Sequence, residues 1–328
     1  MEIETSARLH LSLIDLNGSE GRIDGGLGIT LDKPSLNISC HENDGKTEII
    51  FDDGLNIKEK EVYESKIMEA SNRIKNYLNI NTEYSFEIKE IYPIHQGLGL
   101  GTQLALSVGQ LIAKMNDNTF DVYQLAKIIQ RGGTSGIGVH SFANGGFIVD
   151  GGHKKDIKSN FLPSSASKVS PPPLLARYDF PKKWNIILAT PFSTRGSSGD
   201  DEINIFQSYT PVNLVDVEKI CYLSLMHVMP EILENDLDSF GDGINKIQSL
   251  GFKSIERHLQ TNKIQQIIDC FKENDIPCRG MSSFGSTCFG ITDSNNKSLF
   301  KDLLEVIDNK GSVIKTNGKN HGAILKDR

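Results

Sequence analysis

A glycine-rich segment at residues 93–103 is the first place where residue type and spacing suggest chemistry. It reads PIHQGLGLGTQ and leads from a strand-like segment into a strongly helical one. Glycines let a backbone approach a ligand closely, and a helix N-terminus offers unpaired N–H groups with a partial positive charge. The sequence therefore predicts a phosphate site, although a plain turn before a helix is the alternative. The expected phosphate-binding residues are Gly97, Gly99, Gly101, Thr102 and Gln103.

This segment matches neither common nucleotide fingerprint. No Gly-Lys-Ser/Thr follows, so it is not a Walker A loop, and the helix does not lie within a βαβ unit.

A second glycine-rich segment, residues 131–140, reads RGGTSGIGVH. It combines a cation, two hydroxyl groups and an imidazole, which is more than a turn requires. Arg131 and His140 are candidate catalytic residues, and Ser135 is a candidate phosphate ligand. A purely structural loop is the alternative interpretation.

A third segment, residues 280–287, reads GMSSFGST and enters a strand. Its small hydroxyl residues and flanking glycines could hold a phosphate from the opposite half of the molecule, so Ser282 and Ser283 are candidates. A tight hairpin explains the same residues without a ligand.

The N-terminal strand supplies the last candidates. Arg8 and His10 share one side of that strand, because side chains alternate with a period of two. Asp24 is expected to face them across a hairpin and completes the candidate catalytic set.

Apolar periodicity predicts the elements that position these residues. Strand-like patterns occur at residues 8–14, 36–51, 82–89, 145–149, 184–189, 287–291 and 312–314. Helical patterns occur at residues 58–78, 104–115, 121–130, 214–233, 263–272 and 299–307.

Helices interleaved with hairpins indicate an α+β protein, and 328 residues suit roughly two domains. The segment 156–182 is rich in Lys, Ser and Pro, so it is the expected linker or long connection. The predicted domains are therefore residues 1–155 and 183–328.

Composition excludes several functional classes. With 35 Lys plus Arg against 42 Asp plus Glu, the net charge of −7 argues against nucleic-acid or acidic-membrane partners and leaves small anions open. We see no signal peptide and no run of about twenty apolar residues. Five scattered cysteines without a C-x-x-C pair predict free thiols in the cytoplasm, and no dedicated metal motif is present.

The N-terminal strand, the Pro-x-x-x-Gly-Leu-Gly motif at 93–99 and the glycine-rich turn at 280–287 together resemble the GHMP superfamily of small-molecule kinases. The resemblance covers nearly the whole chain. It implies a ribosomal-protein-S5-like N-terminal domain and a ferredoxin-like C-terminal domain.

Two departures from that superfamily argue against kinase chemistry. Residues 100–102 read Leu-Gly-Thr where many of these kinases have Ser-Ser-Ala. Residues 135–138 read Ser-Gly-Ile-Gly, without the acid that assists the attacking hydroxyl.

A narrower resemblance accommodates these departures. RLH at 8–10 with IDLNG at 14–18, GLGLGTQ at 97–103, and GGTSGIG at 132–138 followed by HSF at 140–142 resemble the β-ribofuranosylaminobenzene 5′-phosphate synthase family. That resemblance implies the archaeal methanopterin pathway. It also implies condensation of 4-aminobenzoate or 4-hydroxybenzoate with 5-phosphoribosyl pyrophosphate (PRPP), releasing carbon dioxide and pyrophosphate.

On this hypothesis the glycine-rich segment 93–103 holds the pyrophosphate, with Mg²⁺ carried by PRPP. Arg8 or Arg131 clamps the aromatic carboxylate, and His10 or His140 contacts the para substituent or the ribose hydroxyls. Asp24 steadies the ribosyl cation or binds ribose.

The two serines, Ser282 and Ser283, are then expected at the 5′-phosphate. The resemblance also implies a homodimer. The alternatives are an ATP-dependent small-molecule kinase and a non-catalytic ligand sensor on the same fold.

Overall fold

The computed structural model describes residues 1–52, 55–164, 166–192, 200–294 and 298–327, which form two β-sheets and their flanking helices. The strands are β1 Glu2–Asp15, β2 Arg22–Asn43, β3 Glu48–Phe51, β4 Glu83–Glu90, β5 Phe147–Asp150, β6 His153–Lys154, β7 Leu174–Tyr178, β8 Asn185–Pro191, β9 Cys278–Met281, β10 Cys288–Thr292, β11 Gly311–Asn317 and β12 Ile324–Lys326. The α-helices are α1 Ile57–Leu78, α2 Leu100–Met115, α3 Val122–Ile128, α4 Ile137–Asn144, α5 Asp200–Tyr209, α6 Leu214–Leu223, α7 Met229–Glu234, α8 Leu237–Ile247, α9 Gly251–His258, α10 Asn262–Glu273 and α11 Leu299–Val306. A π-helical turn, Ser224–Val228, joins α6 to α7.

The larger sheet has eight strands and is built around the long hairpin of β1 and β2. Its main path runs β12-β1-β2-β4-β3, and β5, β6 and β7 attach beside β2. Only β3 and β4 pair in parallel among the described strands. Helices α1 and α2 pack on each other, and α2 also contacts β1 and β2.

The smaller sheet has four antiparallel strands in the order β11-β8-β10-β9. In chain order this is fourth, first, third, second, with α10 before β9 and α11 before β11. That arrangement is the ferredoxin-like pattern that the sequence resemblance implies. The predicted α+β class is confirmed, with one part of the molecule built on each sheet.

One apolar core joins the two sheets. Leu9 and Ile29 of the larger sheet belong to the same cluster of buried side chains as Ile186, Leu188 and Phe289 of the smaller sheet. The two halves are therefore packed together, and residues from both can reach one site.

The predicted connection 156–182 contains a strand. β7 pairs with β5 and extends the larger sheet, while β12, from the far end of the chain, pairs with β1. Composition marked the segment as a loop because its Pro and Ser residues flank the short strand. The domain limits themselves stay a prediction.

The glycine-rich segment 131–140 is a helix in its second half, which the sequence did not predict. Helix α4 begins at Ile137, whose side chain fills the space above Gly28 of β2. A Cβ at Gly28 would lie 2.1 Å from Ile137 Cγ2. The packing of Ile137 against Gly28, which has no side chain, therefore outweighs the low helix propensity of this segment.

Candidate functional site

A cavity of about 190 Å³ opens at the N-terminus of α2. Its wall includes Lys66, Ile94, His95, Gly97, Gly99, Leu100, Gly101, Thr102, Arg131, Ser164, Glu202, Ser283, Phe284 and Gly285. The two glycine-rich segments that lie farthest apart in sequence, 93–103 and 280–287, thus meet in one site.

Hydrogen bonds to backbone carbonyls hold these two segments together. Ser282 Oγ donates to the Gly97 carbonyl at 2.8 Å, and the Thr287 N–H donates to the Gln96 carbonyl at 3.2 Å. Gly97 has a φ of +81°, and a Cβ there would lie 2.1 Å from the Ser282 carbonyl oxygen. Only glycine fits at this position.

The cavity has the character of an anion site. Gly99 caps α2 without a side-chain hydrogen bond, the first turn carries no acidic residue, and Gly99, Leu100, Gly101 and Thr102 all line the cavity. Arg131 and Lys66 lie on the wall, and burial lowers the pKa of both. Arg131 Nε is buried without a hydrogen-bond partner among the described residues.

A second cavity, of about 160 Å³, adjoins the first, since Ser164, Glu202 and Ser283 line both. Its remaining wall is formed by Arg8, His10, Leu13, Thr134, Ser135, Pro163, Phe206 and Glu256. This size matches the ~150 Å³ cavity that holds a benzene ring.

Arg8 lies between the two cavities. Its Nη1 donates to the Gly97 carbonyl at 2.5 Å, and its guanidinium carbon lies 3.0 Å from where a Cβ at Gly99 would be. Its Nε is buried and unpaired among the described residues. Burial lowers the pKa of Arg8 to about 10, which still leaves the side chain charged at neutral pH.

His10 has two unused ring nitrogens. Its residue is 5% exposed, and neither Nδ1 nor Nε2 has a hydrogen-bond partner among the described residues. Burial, with Arg8 and Lys253 nearby, lowers the pKa of His10 well below its ordinary value. The ring is therefore neutral, with one donor and one acceptor available to a ligand.

Asp24 does not face Arg8 or His10, contrary to the sequence prediction. The β1–β2 register pairs His10 with Gly28 and Asp15 with Asp24, so Asp24 lies four residues along β2 from the partner of His10. Asp24 Oδ2 instead lies 2.6 Å from His153 Nδ1 and 2.9 Å from Lys158 Nζ. We call these three residues the Asp24 cluster.

Two other candidates, His140 and Gln103, line neither cavity. His140 is fully buried, with its ring nitrogens 3.1 Å from Tyr123 OH and the Pro172 carbonyl. Gln103 accepts from Thr5 Oγ1 at 2.5 Å and donates to the Gly138 carbonyl at 2.8 Å. Gln103 therefore links α2 to β1 and α4, and His140 links α4 to α3 and to the segment before β7.

Ser282 is buried and takes part in internal contacts. It accepts from the His10 N–H at 3.0 Å in addition to its bond to Gly97, while Ser283 lines both cavities. Of the predicted phosphate ligands, Gly97, Gly99, Gly101 and Thr102 line the first cavity, and Ser135 lines the second.

Asp150, at the end of β5, is a buried carboxylate beside the second cavity. It accepts the N–H groups of Gly136 at 3.0 Å and Gly152 at 3.1 Å. Its Oδ2 and His10 Nε2 both lie within 3.3 Å of the position that a Cβ at Gly26 would occupy. Burial raises the pKa of Asp150 to about 7.

Sequence reasoning missed five wall residues, Lys66, His95, Glu202, Phe206 and Glu256, and also Lys253, which pairs with Glu256. Helices α1, α5 and α9 carry most of them, and their charges follow the pattern of ordinary solvated helix faces. Lys253 and Glu256, three residues apart, have the spacing of an exposed helical pair, and no other signal distinguishes them.

The described residues contain no group of three His, Cys, Asp or Glu side chains arranged to ligate a metal ion. Across the same ranges, no helix has both the length and the apolar character needed to cross a membrane.

Comparison with known proteins gives consistent results. Residues 65–151 match the family model for the GHMP kinases N terminal domain. The β-ribofuranosylphenol 5′-phosphate synthase of Methanothermobacter thermautotrophicus is 47% identical over 98% of both chains. The proteins of the same name from Methanocaldococcus jannaschii and Archaeoglobus fulgidus are 42% and 40% identical, over 98% and 99% of this chain and 99% of each relative.

Similar solved structures include a homoserine kinase from Cytophaga hutchinsonii, with a TM-score of 0.69 and 14% identity over 99% of this chain and 96% of that one. The mevalonate kinase of L. major in complex with R-mevalonate has a TM-score of 0.67 and 8% identity over 98% and 97%. At these identities the likeness concerns the fold.

Proposed function

Because the chain belongs to the family of β-ribofuranosylphenol 5′-phosphate synthases, we propose that it joins the ribosyl 5-phosphate of PRPP to an aromatic acid with loss of carbon dioxide and pyrophosphate. The relatives' name contains a phenol, which favours 4-hydroxybenzoate as the acceptor over 4-aminobenzoate. The pairing of an anion cavity with an adjoining ring-sized cavity is the structural observation that carries this proposal.

The first cavity is proposed to receive the pyrophosphate. The N–H groups at the start of α2 and the cations of Lys66 and Arg131 would stabilise the negative charge that develops as the leaving group departs. Ser283, which lines both cavities, is proposed to contact the ribosyl 5-phosphate between them.

The second cavity is proposed to receive the aromatic acid. Leu13, Pro163 and Phe206 offer apolar surfaces to a ring, and Arg8 offers a planar guanidinium for its carboxylate. His10 lies on the same wall and can hydrogen-bond a ribose hydroxyl. Holding the two reactants in contact supplies much of the rate enhancement, because no covalent nucleophile is required.

Mg²⁺ is proposed to arrive with PRPP. Mg²⁺ is typically held by one or two protein carboxylates together with substrate phosphates, so it needs few ligands from the protein. Glu202, whose residue lines both cavities, and Thr102 are the residues that would hold it. When bound, the ion neutralises charge on the departing pyrophosphate.

The alternatives receive less support. The likeness to kinases is one of fold at 8–14% identity, and it does not favour ATP-dependent phosphorylation or a non-catalytic sensor.

The proposed partners are the small-molecule substrates and a second copy of the chain. Tyr222, Leu225, Met226 and Leu233 expose large apolar side chains along α6 to α7, which supports a homodimer. The five free cysteines support a reducing, cytoplasmic setting. Light scattering at several protein concentrations would test the dimer.

The proposed reaction is tested by offering the purified protein Mg²⁺, PRPP and either aromatic acid labelled at the carboxyl carbon. We expect PRPP-dependent release of labelled carbon dioxide, with one pyrophosphate per carbon dioxide, and faster release from 4-hydroxybenzoate. A folded protein that binds PRPP and releases no label from either acid would refute the proposal.

A further inference from the structure

Glu256 places a carboxylate in the wall of the second cavity, where sequence analysis anticipated none. It lies on α9, which packs against β1, and its residue is only 5% exposed. Arg8 and His10 line the same cavity from β1. Polar side chains therefore enter the cavity wall from two elements, α9 and β1.

A buried cation holds this carboxylate in place. Lys253 Nζ forms an ion pair with Glu256 Oε2 and donates to the Ser283 carbonyl at 3.1 Å. The Ser283 N–H in turn donates to the His10 carbonyl at 2.9 Å. The ion pair is thus bound to the segment 280–287, whose Ser283 lines both cavities.

A buried ion pair is an expensive way to stabilise a fold, because two charges lose their hydration. Burial lowers the pKa of Lys253, and the neighbouring charge of Glu256 opposes that shift. The carboxylate is therefore better explained by what it faces.

The ligand proposed for this cavity has two polar ends. An aromatic acid that gives its carboxylate to Arg8 presents its para hydroxyl to another part of the same wall, which Leu13, Phe206 and Glu256 also line. Glu202 also lines the first cavity and is proposed to hold Mg²⁺ there, whereas Glu256 lines only the second of these two cavities. We propose that Glu256 is the general base that takes the proton of that hydroxyl, an inference that rests on the proposed function.

The phenolic O–H bond breaks, its proton passes to Glu256, and the oxygen electron pair moves into the ring. The ring carbon bearing the carboxylate bonds to ribose C1 while the bond from C1 to pyrophosphate breaks. The bond to carbon dioxide then breaks, its electron pair restores the aromatic ring, and Glu256 returns the proton to the phenolate.

This role makes Glu256 matter more for one acceptor than for the other. A phenol has a pKa of about 10 and can be deprotonated by a positioned base, whereas an aryl amine keeps its protons and only donates a hydrogen bond. Glutamine at position 256 can still accept that hydrogen bond and cannot take a proton.

The test compares E256Q with the wild type on both acids at saturating PRPP and Mg²⁺. Since general-base catalysis typically contributes 10²–10⁴-fold, we expect kcat for 4-hydroxybenzoate to fall by about 100-fold. We expect kcat for 4-aminobenzoate to fall by less than about 5-fold. Raising the pH should partly restore 4-hydroxybenzoate turnover in the variant, because free phenolate then enters directly.

Controls separate the possible failures. H258Q changes an exposed residue of the same helix and should leave both activities unchanged. E256D keeps the charge and displaces the carboxylate, so it replaces E256Q if that variant does not fold, with the same selective loss expected. Equal losses on the two acids in a folded variant, or none, would overturn the role of Glu256. A wild type that releases no carbon dioxide would instead overturn the proposed function.

Discussion

The Asp24 cluster and the pair of Arg8 and His10 are two buried groups of polar side chains. They differ in whether their polar atoms have hydrogen-bond partners within the protein. In the Asp24 cluster, His153 contacts Asp24 and the Ser170 carbonyl, and Lys158 contacts Asp24 and Thr134 Oγ1. In the other pair, Arg8 Nε and both His10 nitrogens have no partner among the described residues.

This difference separates stability from function. Polar atoms that are buried without a partner cost free energy, so proteins keep few of them. Where several line one cavity, a ligand is expected to satisfy them. Whether the buried polar atoms have hydrogen-bond partners therefore distinguishes the two regions. Residue type does not, because both regions contain residues that commonly take part in catalysis.

The largest expected effect tests the structural side of this comparison. D24N leaves Lys158 buried without its counterion, and breaking such a pair costs about 3–5 kcal/mol. Chemical denaturation should show that loss, while kcat at a temperature where the variant is folded should stay within about 3-fold of the wild type. A large loss of kcat in folded D24N would place the Asp24 cluster in the reaction.

R8K tests the functional side. Lysine keeps the charge and loses the planar fork, and one charge-assisted hydrogen bond is worth about 1.5–3 kcal/mol. We expect KM for the aromatic acid to rise by about 10- to 100-fold in steady-state assays, with little change in the free energy of unfolding. Unchanged binding and turnover would mean that the carboxylate clamp lies elsewhere, with Arg131 the next candidate.

Asp150 sharpens the comparison because it lies between the two regions. Its pKa is raised to about 7 by burial, so the native state binds this proton more tightly than the unfolded state between about pH 4 and pH 7. The free energy of unfolding should fall relative to D150N by up to about 1.4 kcal/mol per pH unit as the pH rises through that window, and then level off. Denaturation of the wild type and D150N at each pH from 5 to 8 would measure this difference in the free energy of unfolding. A difference that does not change with pH would contradict the prediction.

H140Q carries the smallest expected effect. His140 resembles the Asp24 cluster in having both ring nitrogens paired, so the change should cost about 1 kcal/mol of stability. We expect kcat and KM for both substrates to stay within about 3-fold of the wild type. A strong selective loss of turnover in a stable variant would return His140 to the site.

The sequence predicted the glycine-rich turn that leads into α2, because glycine spacing and a helix start are local features. It also predicted α1, α2 and α10 from apolar periodicity, and Asp121 as the N-cap of α3. Local patterns of this kind survive in the folded molecule.

What the sequence did not predict depends on long-range geometry. Asp24 is held by His153 and Lys158, which follow it by 129 and 134 residues, and no spacing rule reveals those contacts. The position of Glu256 at a cavity depends on how α9 packs on β1. In both cases a distant part of the chain sets the direction of the side chain.

The junction between segments 93–103 and 280–287 also determines when the site can form during folding. The bond from the His10 N–H to Ser282 Oγ spans 272 residues, and the bond from Ser282 Oγ to the Gly97 carbonyl spans 185. Loop-closure entropy must be overcome before such contacts contribute, so we expect them to form late. A nascent chain can therefore build the β1–β2 hairpin early but gains no ligand affinity until the 280–287 hairpin has been synthesised. PRPP should consequently stabilise only the completed chain.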